Sequence, residues 1–292
     1  MSWPRTGSTV LDRYVLGAQI GLGGTSEVYR AVDTAADRVA AVKLLSPAFA
    51  HDTRAMDMAR REAWVIARLR HPTVPALYDH GDVLLGEGVV VPCTVMELLT
   101  GIMLTERLTQ GPLPWREAAT IAATVADALA VAHRRGIVHR DLTSGNIIMT
   151  DHGVKIIDFG LANITEQEPP GTGRLVFRAH DRTAPPASCQ IAGSPGAATI
   201  SVPAGRGQPA DDVFSLGVLL YQMLTGRSPY PDAEGGDHPA AARQHRAAPT
   251  PVLTIPGMPK AVANVCRDCM ARHPVDRPDT VAVSLALWSV LV

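Results

Sequence analysis

At 292 residues the chain can hold one large domain or two lobes with cores of ordinary size. A hydrophobic share of 46% beside a charged share of 19% fits a folded globular protein and excludes disorder throughout. The formal net charge of -1 gives no global attraction to nucleic acid or to an acidic membrane surface, so neither is expected as a partner.

Residues 14–45 show short β-type runs, YVLGAQI, SEVYRAV and RVAAVKLL, separated by Gly-rich or polar turns, which predicts a meander of antiparallel strands. RAMDMARREAWVIARLR (54–70) then carries Met58, Glu62, Ile66 and Leu69 at helical spacing, and the His-Pro step at 71–72 stops it. Runs around ALYD (76–79) and VVVPCTVMELL (89–99) predict two more strands before Gly101 breaks the pattern. A sheet-rich lobe ending near residue 99 follows.

Beyond it, WREAATIAATVADALAVAHRRG (115–136) predicts a strong helix, with basic residues before a terminal Gly. From 166 to 210 the composition shifts to Pro, Gly, Ser, Thr and Ala without periodicity, as in a long functional loop. DDVFSLGVLLYQMLTG (211–226) resumes an apolar helix, and residues 260–292 suggest two or three shorter ones. The apolar end, VAVSLALWSVLV (281–292), falls short of the roughly 20 residues that cross a bilayer and reads as a final core helix. Cys93, Cys189, Cys266 and Cys269 are dispersed and no signal peptide precedes them, so a reduced, cytoplasmic protein is the simplest reading. Cys266 and Cys269 form a CxxC with no second ligand pair nearby, and their spacing puts both on one helical face, which favours packing over a metal.

Several short stretches carry chemistry. GLGGTSEV (Gly21 to Val28) is a glycine-rich turn between two β-type runs, where backbone N–H groups can approach a polyphosphate with no Cβ in the way. Taken alone, such a turn is as readily only a turn. Lys43, in AVK at the end of the third strand, is one of three lysines in a chain with 24 arginines, and Glu62 sits within its reach if the helix packs on the sheet. Separately, these would be a surface charge and an exposed helical partner. HRDLTSGN (139–146) sets Asp141 five residues before Asn146, and KIIDFG places Asp158 and Gly160 at a strand end. A carboxylate that orients an attacking hydroxyl, with an amide and a second carboxylate on a metal, is the chemistry of phosphoryl transfer from a nucleotide.

In order and spacing, GxGGxSEVY, HRDL, DFG and DVFSLG together make the chain resemble bacterial eukaryotic-like (Hanks-type) serine/threonine protein kinases over about residues 12–290. The resemblance implies an α+β, bilobal protein kinase fold. Its N-lobe, residues 12–99, is a small antiparallel sheet with one main helix that binds nucleotide; its C-lobe, residues 100–292, is larger and helical, with an activation segment at about 158–204. It further implies Ile20, Gly21, Gly23, Gly24 and Val28 over ATP, Lys43 on the α- and β-phosphates, and Glu62 as its partner. Asp141 is then the catalytic base, and Asn146 and Asp158 hold magnesium, or manganese in its place. The adenine lies between Ala41 and Ile148, with backbone bonds from Glu97 and Leu99 and with Met96 guarding the back pocket. His139, Phe159 and Ile66 stack as a packing column, and Asp212 tethers the catalytic loop.

The pattern fails at three places. Thr143 and Ser144 stand where serine/threonine kinases usually show Lys-Pro, so a positive charge facing the transferring phosphate is missing unless an arginine such as Arg174, Arg178 or Arg182 supplies it. Ser26 replaces the third loop glycine. The best local matches to the activation segment's terminal Pro-Glu, VPA (202–204) and SPG (194–196), both lack the glutamate that would pair with Arg277, so either the match slips within the long loop or Arg277 has no such partner. Arg140 beside Asp141 resembles the type switched on by phosphate, with Thr165, Thr172, Thr183, Ser188, Ser194, Thr199 and Ser201 as candidate acceptors. The expected function is transfer of the ATP γ-phosphate to protein hydroxyls, including its own, with an upstream kinase or self-association as activating partner. Two alternatives stay open: a pseudokinase acting as a nucleotide-binding scaffold, and a small-molecule phosphotransferase.

Overall fold

A computed structural model describes residues 5–85, 88–159, 162–164, 207–230 and 252–292. The described chain divides into two compact units, one running to Gly101 and the other starting at Ile102.

In the first unit, strands β1 (Thr9–Val10), β2 (Tyr14–Leu22), β3 (Ser26–Asp33), β4 (Arg38–Leu45), β5 (Leu77–Leu84) and β6 (Val90–Glu97) form an antiparallel sheet in the order β1-β2-β3-β4-β6-β5. Alternation assigns the faces. Tyr14, Leu16, Tyr29, Ala31, Ala40, Val42, Leu44, Cys93 and Val95 gather in one apolar cluster. The opposite face holds the intervening residues, including Lys43. Register shifts between Leu16 and Gly21 bulge β2, and such bulges re-aim the residues that follow. Gly17 sits at the bulge because a Cβ there would lie 3.1 Å from the Arg30 carbonyl.

Helix α1 (Thr53–Arg68) begins where the Asp52 carboxylate accepts the N–H groups of Arg54 and Ala55, and it buries Ala55, Glu62, Ala63, Val65 and Ile66. It ends at Leu69, just before the His-Pro step. β1 lies outside the runs read from sequence, and β5 continues five residues past ALYD. In both places a polar, turn-rich segment is held as strand by its neighbour in the sheet.

The second unit is mainly helical. Gly101 opens strand β7 (Gly101–Met103) instead of ending all regular structure there, and α2 (Leu104–Thr109) and α3 (Trp115–Arg134) follow. Short strands β8 (Ile137–Val138), β9 (Ile147–Thr150), β10 (Gly153–Ile156) and β11 (Asn163–Ile164) surround the HRDLTSGN segment. α4 (Pro209–Thr225) starts two residues earlier than its apolar run. A capping box between Gln208 and Asp211 and a proline in the first turn fix its start, and left-handed Gly226 ends it. α5 (Lys260–Cys269) and α6 (Thr280–Ser289) complete the described chain. The final apolar run is only half a core helix: Val283 and Leu287 are buried, whereas Leu285 is 65% exposed.

The CxxC resolves as packing. A Cβ at Gly217 of α4 would come within 2.7 Å of Cys269 Cβ and 2.8 Å of Met270 Cγ, so the glycine lets α4 and α5 cross closely. Cys266 lies 3.5 Å from the Gly217 carbonyl. Burial pushes both thiols up, Cys269 to about 12, which leaves them unreactive. The described residues contain no cluster of three or more His, Cys, Asp or Glu that could hold a metal, and no helix long and apolar enough to cross a membrane. Cys189 and the rest of 165–206 lie outside the described residues.

Asp33, at the end of β3, is completely buried and collects Arg13, Arg38 (3.0 Å) and the N–H groups of Ala35 (3.1 Å) and Ala36 (3.3 Å). Burial pushes its carboxyl up, but those guanidinium and backbone bonds together hold it below the usual carboxylate value. Its contribution to stability is therefore present above the unfolded value of about 4 and is lost as pH falls through the lower folded value. We expect Asp33→Ala to destabilise the chain by about 3 kcal/mol or more at pH 7, because two guanidinium groups lose their partner. In urea titrations the gap from the parent should narrow once the pH is well below 4; a gap equal at pH 7 and pH 2.5 would contradict this assignment.

Candidate active site

In the first unit the sheet register decides which side chains share a face. Gly21 opposes Val28, Val28 opposes Lys43, and Ala41 opposes Met96. Directly opposed residues point the same way, as do residues two apart on one strand. Gly21, Val28, Ala41, Lys43 and Met96 therefore lie on one side of the sheet, and half-buried Ile20 falls in the bulge of β2. On this side Glu62 comes down from α1, and Lys43 Nζ sits 2.7 Å from both of its carboxylate oxygens. The side chains are 19% and 6% exposed. A pair so withdrawn from water is held much more firmly than a surface ion pair, and it keeps the lysine pointing along one direction.

The turn between β2 and β3 is closed by the Gly23 N–H donating to the Ser26 carbonyl at 2.8 Å, so Ser26 completes the turn through its backbone. None of Gly21, Gly23 or Gly24 has a left-handed φ. A Cβ on Gly24 would meet nothing within 4 Å, and one on Gly21 would make only an ordinary 3.5 Å contact with Val28. Only at Gly23 would a Cβ be tight, 3.3 Å from Ser26 Oγ, so conformation and internal packing do not require glycine at 21 or 24. The effect of this run of glycines is to leave the backbone bare toward whatever lies beyond it, as a phosphate cradle needs. Glu27 braces the loop in a way the sequence did not reveal, accepting from Tyr29 at 2.6 Å and from Gln19 at 3.4 Å. Past β6, Leu99 is buried, and Glu97 donates its N–H to Ala76 while its carboxylate accepts the Ala76 N–H at 3.1 Å.

In the second unit, HRDLTSGN is built around Asp212 of α4. Its buried carboxylate accepts the backbone N–H of His139 at 2.8 Å and of Arg140 at 2.7 Å, and His133 Nε2 of α3 lies 2.7 Å away. Between these bonds Arg140 takes a left-handed φ of 70°, a conformation that costs a residue with a Cβ about 1–2 kcal/mol. His139 is buried against Phe159, ring centroids 4.6 Å apart, and burial lowers its pKa. The neutral ring accepts the Asp141 N–H at Nδ1, 3.3 Å. Ile66, the third member of the expected stack, belongs to the other unit, where it is buried.

Asn146 follows on a single 3-10 turn, Ser144–Asn146. Its Nδ2 donates to the Asp141 carbonyl at 2.7 Å and to Asp141 Oδ2 at 3.3 Å, which turns its amide oxygen away from Asp141. The Asn146 carbonyl accepts the Ile157 N–H at 2.8 Å, tying the loop to the residue before Asp158. Burial first, then the charge of Asp158, pushes the Asp141 carboxyl up to about 6, with the Asn146 bond opposing them. Ile148, on β9, is buried. The donors offered to a cation are the Asn146 amide oxygen and the Asp158 carboxylate, both hard oxygen ligands. That is too few for an all-protein cage and suits a divalent cation whose shell is completed by phosphate oxygens and water.

The departures also have a structural form. Thr143 precedes the 3-10 turn and its carbonyl accepts the Asn146 N–H at 3.1 Å, while Ser144 Oγ accepts from Thr105 of α2 at 3.0 Å. Arg277 donates to the carbonyls of Ala210 (2.7 Å), Ala271 (2.8 Å) and Arg272 (3.4 Å), lies over the Phe214 ring and comes within 4.0 Å of Asp211. Carbonyls and a neighbouring aspartate surround the arginine for which the sequence offered no glutamate. Gly160, the candidate phosphate acceptors, Arg174, Arg178, Arg182 and the 194–204 segment lie outside the described residues.

Residues 14–288 match the family described as "Protein kinase domain". A probable serine/threonine-protein kinase of Corynebacterium efficiens is 38% identical over 285 residues, covering 94% of this chain and 40% of that relative. The probable serine/threonine-protein kinase PknB of Bifidobacterium longum is 35% identical over 282 residues, 92% of this chain and 38% of its own length. The serine/threonine-protein kinase PknL of Mycobacterium tuberculosis is 34% identical over 287 residues, 97% and 67% of the two chains. The chain spans about two-fifths of the first two of these relatives. A sheet-rich unit with a buried Lys43–Glu62 pair, a helical unit carrying Asp141, Asn146 and Asp158, and a match along almost its whole length place the chain in the protein kinase domain family.

Proposed function

We propose that this chain transfers the γ-phosphate of ATP to serine or threonine hydroxyls of proteins, itself included, and that it works in the cytoplasm. The observation that carries the reading is the Asp141–Asn146–Asp158 group, in which a half-buried carboxyl pushed up to about 6 shares its loop with the Asn146 amide, and that loop is bonded to the segment bearing Asp158. The names of the relatives, all serine/threonine-protein kinases, support the same class.

Each unit has its own part in this reading. Residues 12–99 bind nucleotide: the bare backbone of Gly21 to Gly24 and the Val28 side chain cover the phosphates, Lys43 neutralises them, and Glu62 fixes its direction. Ala41, Met96 and Leu99 make the apolar surroundings of the base within this unit. Asn146 and Asp158 hold a divalent cation, magnesium or manganese, whose charge, when bound, offsets that of the phosphate oxygens. Asp141 orients the acceptor hydroxyl and takes its proton while the new oxygen–phosphorus bond forms and the bond to ADP breaks. The segment of about 158–204 carries the phosphate acceptors, loaded by a second copy or by an upstream kinase.

Incubation of purified protein with γ-labelled ATP, magnesium and a generic protein substrate should label the substrate and the chain. Asp141→Asn should abolish labelling, by about a hundredfold or more, while magnesium-dependent thermal stabilisation by ATP is retained. Labelling that survives Asp141→Asn removes Asp141 from the role of base; no thermal shift at millimolar ATP removes nucleotide binding altogether.

A second expectation concerns Thr143. If the reaction lacks a charge there, Thr143→Lys should raise kcat about tenfold, or about 1.4 kcal/mol of transition-state stabilisation, with little change in KM for ATP. Steady-state kinetics with an unchanged or lower kcat would show that no charge is wanting at this position.

A further inference from the structure

The residue before α4's cap, Gly207, has no backbone reason to be glycine, since it is absent from the left-handed glycines. It has a packing reason. A Cβ built on it would lie 2.8 Å from Arg140 Cδ and 2.9 Å from Cγ, separations that real Cβ atoms essentially never show, and 3.0 Å from Nε. The stem of Arg140 therefore rests on the bare backbone of residue 207. That residue is one position ahead of Gln208, whose N–H the Asp211 carboxylate accepts at 2.9 Å, so the platform is anchored to the first turn of α4. The neighbouring Asp212 holds the N–H groups of His139 and Arg140 from the same turn.

We propose that Gly207 is a positioning residue for the catalytic loop: its missing side chain seats Arg140, and the seated Arg140, with its left-handed backbone, sets where Asp141 is presented. The proposal rests on the phosphoryl-transfer reading. Its logic is steric. Arg140 has a φ of 70°, is held from its N–H side by Asp212 and from its side-chain side by residue 207, and is followed directly by Asp141. A side chain at 207 leaves Asp212's bonds in place and displaces the arginine stem, and the displacement passes to the peptide that Arg140 shares with Asp141. Misplacement of a catalytic group by about 1 Å can cost up to a hundredfold in rate. Nucleotide binding, assigned to other residues, should be spared.

The test is a double-mutant cycle on the full chain with Gly207→Val and Arg140→Ala, read by two measurements. In steady-state kinetics Gly207→Val should lower kcat about tenfold or more with KM for ATP within about twofold of the parent. In the Arg140→Ala background the same substitution should have no further effect, because there is no stem left to displace. In urea denaturation the two substitutions should likewise be non-additive, Gly207→Val destabilising the parent and leaving Arg140→Ala unchanged. Should Gly207→Val not fold, Gly207→Ala presents the smallest version of the clash and is scored the same way. A kcat equal to that of the parent, or an equal loss with and without Arg140, overturns the proposal. If the parent itself transfers no phosphate, the functional reading fails. The denaturation cycle still decides whether residue 207 seats Arg140, additive effects meaning that it does not.

Discussion

A carboxylate removed from water must be repaid by bonds, and Asp212 is repaid by the loop it organises. Its two oxygens accept the N–H groups of His139 and Arg140 and approach His133. Two consecutive backbone N–H groups can converge on one carboxylate only if the chain turns sharply, and the left-handed φ of Arg140 is that turn. Both flanks inherit the geometry: before the turn His139 is packed in the core against Phe159, and after it Asp141 emerges and Asn146 folds back on it. α3 enters through His133, whose other ring nitrogen lies 3.4 Å from Thr280 of α6. Three helices therefore converge on the buried network that fixes one short loop, which is how a mainly helical unit holds the Asp141 carboxylate in one place.

The first unit obtains precision by a different route. Its sheet has two unequal faces, one closed by its own apolar residues and one on which a lysine, small residues and a bare glycine turn are lined up by register. A one-residue slip in β3 or β4 would exchange the two faces and bury Lys43 in the apolar cluster. The register is protected at one end by Asp33, which gathers Arg13 and Arg38 around the β3–β4 turn. It is protected on the working face by Glu62, which gives Lys43 a fixed partner. Structural and functional demands on this sheet coincide in those two ion-pair sites.

The departures from the family pattern have a local chemistry of their own. Among the described residues Arg277 meets three carbonyls, an aromatic face and Asp211. Ser144, in place of proline, gains a hydroxyl that binds Thr105 and so ties the catalytic loop to α2. In each case the backbone path is kept by a different set of bonds, so the loss of one signature residue is weak evidence that the site itself has been abandoned.

Much was legible from the chain alone because it depends on order and period. The alternation in RVAAVKLL, the helical spacing of Glu62 and Ile66, the long apolar run of α4, and the HRDLTSGN and KIIDFG motifs each announce a local structure or a chemistry, and the kinase resemblance follows from their sequence. The start of α4 was misplaced by two residues because its capping box is polar and lies outside the apolar run. The last helix was overrated because an unbroken apolar run does not reveal that one side meets solvent. What no linear pattern carries is distance across the fold. That Glu27 braces the glycine turn, that Gly217 exists to let α5 approach, that Arg277 rests on carbonyls and that Gly207 makes room for Arg140 were decided only when remote segments met. The physical reason is that periodicity encodes which face a residue shows, whereas its partner is chosen by close packing and by the need to satisfy buried polar groups, and both are properties of the assembled chain.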